Sequence, residues 1–249
     1  MNDFKVLTYN IHKGFNARNR QFILDEIRQA IRLTKADIVA LQEVQGSHKG
    51  HAETVANFQE EAHFEYLADS VWLHNSYGKN AIYQQGHHGN AMLSKFPFHR
   101  THNHDISQWW FSQRGILHGE IMENLHIACV HLGFLPYEQA RQIRRLQHWL
   151  DDSVPPQDPV IIMGDFNDWH HRLHRFMTNK LGFNEASCYC SHSGWKKRPA
   201  RTYPAHKPRL SMDRIYYRHL KLKSSDVLSG DPWNKLSDHC PITANFSYI

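Results

Sequence analysis

The stretch Val160-Ile161-Ile162-Met163-Gly164-Asp165-Phe166-Asn167-Asp168 reads as a buried strand that runs straight into reactive side chains. Four apolar residues in a row, mostly β-branched, suit a strand covered on both faces. Asp158-Pro159 starts it and Gly164 stops it. Asp165 and Asn167 fall just past its end, where loops on a rigid scaffold carry chemistry. A lone Asp-x-Asn is most simply a polar turn, but here it has company. Tyr9-Asn10-Ile11-His12, Leu41-Gln42-Glu43, Val130-His131-Leu132-Gly133 and Ser237-Asp238-His239 are further apolar runs that end in residues of catalytic type.

Outward from that strand, helices and strands alternate. Lys5 to Tyr9 alternates polar and apolar and predicts a strand, and Asn10 to Arg20 a polar loop. Phe22 to Leu33 has Ile23, Ile27, Ala30 and Ile31 at helical spacing, and Ile38 to Leu41 is a short buried strand. Thr54 to His63 suits a helix, Tyr77 to Asn80 a turn, and Gly86 to Asn90 a glycine-flanked loop before a strand at Ala91-Met92-Leu93. Residues 99–113 show no period. Gly115 to Ile121 and Leu125 to His131 predict two strands. Pro136 then opens a helix whose apolar face is Ala140, Ile143, Leu146, Trp149 and Leu150. Met212 to Tyr217 and Ile242 to Phe246 predict two more strands. With no linker, repeat or low-complexity tract, one layered domain over residues 1–249 is expected.

Composition narrows the class. With 249 residues, 41% hydrophobic and 21% charged, a packed globular core is expected. The formal charge of +5 suits an anionic ligand without demanding one. None of the four cysteines (Cys129, Cys188, Cys190, Cys240) forms a Cys-x-x-Cys pair, two lie in apolar stretches that read as core, and a disulfide scaffold is not expected in a chain this long. No apolar run approaches membrane-spanning length, and a strand pattern begins by Lys5, which leaves no room for a signal peptide. If Met1 is the native start, a soluble cytoplasmic protein is expected, with no obligate protein partner.

The strand-end residues suit one chemistry. Hard divalent ions such as magnesium (Mg2+), or manganese (Mn2+) in its place, take carboxylate, amide and water oxygens, which Glu43, Asn10 and Asp238 supply. Asp165 and Asn167 can orient and deprotonate a water. His131 and His239 can donate to an anion. Hydrolysis of a phosphate ester needs such a set: charge neutralisation, a positioned nucleophile, and donors aimed at phosphoryl oxygens. Structural uses compete with each. Asn10 and Asn167 could brace turns, Asp213 could pair with Arg214 or Arg209, and His131 could be a core histidine. His102-Asn103-His104 lacks the following helix that a His-Asn-His nuclease module needs. The His87-His88 and His170-His171 pairs lack helical or hairpin ligand spacing. Of these, only His88, flanked by glycines and close to Asn90, is kept as a candidate.

The series Thr8-Tyr9-Asn10-Ile11, Leu41-Gln42-Glu43-Val44, Val130-His131-Leu132-Gly133, Gly164-Asp165-Phe166-Asn167, Met212-Asp213-Arg214-Ile215 and Ser237-Asp238-His239 resembles the endonuclease/exonuclease/phosphatase superfamily, in order and over essentially the whole chain. The resemblance implies an α/β fold of the DNase I-like type, a four-layer α-β-β-α sandwich of two packed mixed sheets with the site at one end. It implies Glu43 as main metal ligand with Asn10 and Asp238, and Asp165 acting on the water beside Asn167. It implies His239 on the phosphate, held by Asp213, and His131 donating to a phosphoryl oxygen. Gln42 would support the ligands. Asn90, in Gly89-Asn90-Ala91-Met92-Leu93-Ser94, and Arg114 would approach the substrate phosphate. Three functions follow for test: a phosphodiesterase on a nucleic acid or phospholipid head group, a phosphomonoesterase on a small metabolite, or a non-catalytic binding module. The His131-Leu132-Gly133 form is unlike the Tyr-containing motif of abasic-site repair members and looks more like the phospholipase, deadenylase and DNase branches. Basic surface with exposed aromatics would favour a nucleic acid. An apolar rim built from Trp109 and Trp110 would favour a membrane substrate.

Overall fold

The computed structural model of the protein describes residues 3–48, 50, 54–55, 58–59, 62–187, 189–190 and 197–249. In chain order the strands are β1 (Asp3–Asn10), β2 (Ile38–His48), β3 (His74–Tyr83), β4 (Gly86–Ser94), β5 (Phe98–Asp105), β6 (Gly115–Ile121) and β7 (Leu125–His131). They continue with β8 (Val160–Asp165), β9 (Asn184–Glu185), β10 (Tyr189–Cys190), β11 (Lys197–Arg198), β12 (Asp213–Arg218), β13 (Leu220–Val227) and β14 (Ile242–Tyr248). The helices are α1 (Leu24–Leu33), α2 (His63–Ala68), α3 (Pro136–Ser153), α4 (Arg172–Asn179) and α5 (Trp233–Leu236).

Two six-stranded mixed sheets form, in the orders β13-β14-β1-β2-β4-β3 and β5-β6-β7-β8-β12-β9. Three apolar clusters separate the layers. The first lies between the sheets and includes Phe4, Val6, Ile38, Ile127, Ile161, Met163 and Ile215. The second joins the outer face of the first sheet to α1 and α2 through Leu7, Ile27, Ile31, Val39, Leu67 and Trp72. The third joins the outer face of the second sheet to α3 and α4 through Ala128, Val130, Leu146, Trp149, Ile162 and Met177. Three cores between four layers make the α-β-β-α sandwich that the resemblance implied. In α1 the buried residues Leu24, Ile27, Ala30 and Ile31 share one face, and Asp25, Glu26 and Arg32 complement the helix dipole at its two ends.

Strand alternation decides what the inner cavity ends in. Phe4 and Val6 belong to the inter-sheet core, so Thr8 and Asn10 continue that row. Ile127 and Cys129 lead in the same way to His131, Ile161 and Met163 to Asp165, and Ile215 back to Asp213. His131 pairs with Asp165 in the β7–β8 ladder, and Asp165 with Asp213 in the β8–β12 ladder. The polar residues are therefore the terminal members of apolar rows, at one end of the sandwich.

Four segments differ from the sequence expectation. Tyr77 to Asn80 lies inside β3 rather than in a turn, and Gly86 to Asn90 inside β4 rather than in a loop. β3 is an edge strand, so polar residues there cost little, and glycines allow the close pairing. A Cβ on Gly89 would stand 1.9 Å from the Gly78 carbonyl oxygen. Residues 98–105, without readable period, form strand β5 at the edge of the other sheet. The helix expected over 54–63 does not form as read: residues 56–57 and 60–61 lie outside the described residues, Val55, Phe58, Gln59 and Ala62 are not helical, and α2 begins only at His63. Cys129 and Cys240 are buried free thiols, while the side chains of Cys188 and Cys190 lie outside the described set. Among the described residues no helix is long and apolar enough to cross a membrane.

A histidine pair inside the second sheet makes stability depend on pH. His118 Nε2 and His126 Nδ1 are 3.0 Å apart, and His126 Nε2 lies 3.4 Å from Asp158. Burial, with the neighbouring His126 and His104 adding to it, pushes His118 down to about 3. The unfolded chain therefore takes up this proton near pH 6.5 and the folded chain resists it, so the contribution is complete above that pH and is lost as pH falls toward 3. His118→Gln is expected to flatten the acid limb of the stability curve by one proton, about 1.4 kcal/mol per pH unit near pH 5. Urea melts at pH 5 and 7.5 check this, and parallel curves for variant and parent would refute it.

Candidate active site

The turn after β8 is built by close approach. Gly164 has φ +147°, and a Cβ there would stand 1.9 Å from the Val130 carbonyl oxygen, so the Gly-Asp sequence is a packing requirement. Asn167 follows in the left-handed region at φ +50°. Its backbone N–H donates to Asp165 Oδ1 at 2.9 Å, and its side-chain amide donates to the Leu132 carbonyl at 2.8 Å. Asn167 thus braces Asp165 from one side and the chain after His131 from the other. Asn10 Nδ2 donates to Asp165 Oδ2 at 3.2 Å, and Asn10 Oδ1 accepts from the His12 N–H at 3.1 Å.

Around Asp165 stand two histidines in opposite electrical states. His131 Nε2 is 3.6 Å from Asp165 Oδ2 and His239 Nε2 is 3.8 Å from the same atom. Both spacings exceed a hydrogen bond and leave strong electrostatic coupling. Burial, then Arg114 and His239, hold His131 well below the ordinary histidine range, so it is neutral. Burial also works against charge on His239, but Asp213 and Asp165 outweigh it and carry the group up to about 10. His239 Nδ1 sits 2.9 Å from Asp213 Oδ2, which places Asp213 across the ring from Asp165. The alternative pairing of Asp213 with Arg214 does not form at the carboxylate, because Arg214 Nη1 donates to the Asp213 backbone carbonyl instead. Asp165 is itself raised to about 6, chiefly by burial, with Asp213 adding and His239 opposing. A carboxylate so placed is a stronger base than a free one and is still ionised at neutral pH.

Glu43 reaches the site through a defect in the sheet. In the β2–β4 ladder Leu41 pairs with Ala91 and Val44 with Gly89, so Gln42 and Glu43 together oppose Asn90. Glu43 takes φ +57° in this bulge. Leu41 and Val44 both keep their places in the outer core while Gln42 turns inward, its amide donating to Thr8 and Cys129. Glu43 Oε2 lies 3.9 Å from Lys13 Nζ. Asp238 Oδ1 lies 3.9 Å from His12 Nδ1 and accepts from the Ser237 hydroxyl. Asn10, Glu43 and Asp238 come from β1, β2 and the segment before β14, three neighbours in one sheet.

These oxygen donors fit a hard divalent ion. Glu43 and Asp238 are partly exposed carboxylates whose lone pairs are not used up by short hydrogen bonds. Among the described residues, the cluster whose candidate ligand atoms already converge within 4.8 Å is a different one: Asp165, Asp213 and His239. With Nδ1 of His239 2.9 Å from Asp213 and Nε2 facing Asp165, that triad also has the layout of a hydrogen-bonded relay.

The three residues expected at the substrate have distinct surroundings. Arg114 donates through Nη1 to the Gln113 carbonyl, and its buried Nε has no hydrogen-bond acceptor among the described residues. Its charge depresses both His131 and His88. His88 is lowered to about 4 by burial first and Lys13 second, with Glu43 opposing. Asn90 Nδ2 donates to the Gly115 and Cys129 carbonyls at 3.0 and 3.2 Å and so clips the two sheets together, while its buried Oδ1 has no partner among the described residues.

Two further residues stand at the site. Lys13 is in the loop after β1, beside Glu43, and contributes to the fields at His88 and His131. The Tyr203 ring lies 4.9 Å from that of His239, and the Thr202 hydroxyl accepts the backbone N–H groups of Met212 and Asp213. Neither Lys13 nor Tyr203 carries a local signal beyond a polar loop.

Comparison with known proteins agrees with this architecture. The model of the Endonuclease/Exonuclease/phosphatase family matches residues 7–239. The uncharacterized protein YbhP of Escherichia coli K12 is 42% identical over 246 residues, covering 97% of this chain and 95% of its own. An endonuclease/exonuclease/phosphatase from Beutenbergia cavernae superposes with TM-score 0.79 at 16% identity, over 100% of this chain and 72% of that one. The human Nocturnin catalytic domain with bound sulfate does so with TM-score 0.68 at 20% identity, over 100% and 94% of the two chains. At those identities the two structures speak for the fold, whereas the family match spans the motifs from β1 to His239. The chain belongs to the endonuclease/exonuclease/phosphatase family.

Proposed function

We propose that the protein is a divalent-metal-dependent phosphodiesterase in which Asp165 activates the attacking water. The observation that supports it best is the setting of Asp165: a buried carboxylate held by Asn10 and the Asn167 N–H, facing one charged and one neutral imidazole. Family members hydrolyse phosphate esters, and this arrangement supplies the parts of such a reaction. Asp165 accepts the proton of a water as its oxygen bonds to phosphorus, while the ester P–O bond breaks and the leaving oxygen departs with the electron pair and takes up a proton from solvent. The imidazolium of His239, kept charged by Asp213, donates to a phosphoryl oxygen, and neutral His131 donates one N–H to another. Arg114 and Lys13 add positive field at the same end. Magnesium or manganese bound by Glu43, Asn10 and Asp238 would offset the charge that builds on the phosphoryl group.

The reaction class is tested with bis-p-nitrophenyl phosphate and p-nitrophenyl phosphate, each with magnesium, manganese or a chelator. Cleavage of the diester that the chelator abolishes is the expected result. Turnover of the monoester alone would make the protein a phosphomonoesterase, and turnover of neither would leave the binding module. Glu43→Gln is expected to remove most metal-supported turnover with little loss of stability, since Glu43 is in contact with solvent. Losing one ligand carboxylate costs on the order of several kcal/mol of transition-state stabilisation. Unchanged magnesium-dependent rates in that variant would remove Glu43 from the metal site.

A further inference from the structure

Three chain tips surround the mouth of this site. The loop between β5 and β6 enters β6 next to His131, because Ile116 pairs with Val130. The segment from Leu132 to Tyr137 leaves β7 directly after His131, and Trp169 follows Asp165 by four residues. Their outward side chains are large and apolar. Trp110 is 86% exposed, Phe111 63%, Tyr137 59%, and Phe134 and Leu135 53% each, with Trp109 and Trp169 at about two-fifths.

A buried polar frame holds these tips in place. Glu138, Gln139 and Gln142, in the first turns of α3, are all buried. The Ser112 hydroxyl donates to Glu138, which also accepts from Gln142. Gln142 in turn accepts the Gly133 N–H at 2.8 Å. Gln139 Nε2 donates to the carbonyls of Gly133 and Asn167, each at 2.9 Å. Arg141 lies over the Tyr137 ring and reaches Gln108. Satisfied buried networks of this kind rigidify what they connect. Here they hold aromatic groups out in water, where exposed apolar patches mark an interaction surface.

We propose that this rim docks the protein on a phospholipid bilayer, with the site facing the head groups. Charge distribution selects this occupant. Neither Ile106 to Gln113 nor Leu132 to Tyr137 contains a charged residue. A single-stranded nucleic-acid track needs cations among its stacking platforms to follow the phosphates; the two tips Ile106 to Gln113 and Leu132 to Tyr137 have none, and cations stand only at their margins and beside Trp169. Leu135 offers no ring face to a base but enters an acyl layer readily. Trp and Tyr favour the head-group boundary, where one end of the side chain is dry and the other wet. The exposed cations Lys79, Arg141 and Arg172 flank the tips, and with the +5 net charge they suit anionic head groups. The assignment of a head-group phosphodiester as the substrate rests on the phosphodiesterase reading above, whereas the docking rests on the surface alone.

The test is cosedimentation of the full chain with vesicles of phosphatidylglycerol and phosphatidylethanolamine, beside a single-stranded oligonucleotide as competing ligand. The parent is expected to pellet with the vesicles, and its tryptophan emission to shift to the blue. The triple variant Trp110→Ser, Phe111→Ser, Leu135→Ser should bind at least tenfold more weakly. Its thermal midpoint and its rate on bis-p-nitrophenyl phosphate should stay unchanged, because these three side chains lie outside the site. A parent that stays in the supernatant at low salt, or a variant that pellets like the parent, overturns the proposal. Oligonucleotide binding that the triple variant loses, without vesicle binding, replaces it by a nucleic-acid platform. Vesicle binding by a protein that cleaves no diester supports the docking and refutes the phosphodiesterase reading.

Discussion

Asp165→Asn will lower kcat by roughly 10²–10⁴-fold, the range for loss of a general base, while the thermal midpoint stays near that of the parent. The two effects separate because of what burial does to this carboxylate. The fold raises Asp165 to about 6, which means that it holds the ionised form less well than water does. An amide at this position removes that cost. Against the gain stands the hydrogen bond from Asn10, which an amide cannot accept in the same way, at about 1 kcal/mol. Stability is therefore nearly balanced while basicity is gone. Steady-state kinetics across a magnesium titration distinguish the possible roles. A kcat that recovers at high magnesium would make Asp165 a metal ligand and leave the water without an identified base.

Asp213→Asn and His239→Gln should each lower kcat by about 10²-fold or more, and the double variant should be little worse than the poorer single one. Non-additivity of this kind is what residues acting as one unit show. The pair is 2.9 Å apart, and removing either member removes the same imidazolium donor. Stability should follow a different order. His239→Gln leaves the Asp213 and Asp165 carboxylates buried without their cation, the costly way to break a buried pair, on the order of 3–5 kcal/mol. Adding Asp213→Asn takes one of those charges away, so the double variant should melt above the His239→Gln single. Thermal melts and kcat measured on the same four proteins check both statements. Additive losses in kcat, or a double variant less stable than His239→Gln, would show that Asp213 acts separately from the histidine.

The apolar rows that end in Asn10, His131 and Asp165 could be read along the chain, because strand periodicity is local and repeats every two residues. So could the pairing of Asp213 with His239, but only through the order of the motifs. Periodicity failed at β3, β4 and β5, where edge position and close backbone packing tolerate polar and glycine residues that would mark a turn elsewhere. It also could not account for Glu43. Strict alternation after Leu41 would send Glu43 to the outer core, and the bulge at φ +57° is what re-aims it.

What the sequence determined, then, is which residues stand at strand ends and which face of each strand is dry. The charge on His239 was already implied by its expected pairing with Asp213, but the opposite state of His131 was decided by the tertiary structure alone. His131 and His239 are the same side chain on the same carboxylate, yet one is neutral beside Arg114 and the other charged between Asp213 and Asp165. It also decided that Tyr203 lies against His239, and that three separate tips form one apolar rim tied by Glu138, Gln139 and Gln142. The physical reason is common to all of these: ionisation, ring contacts and surface patches depend on desolvation and on partners distant in sequence, and neither is encoded within a window of neighbouring residues.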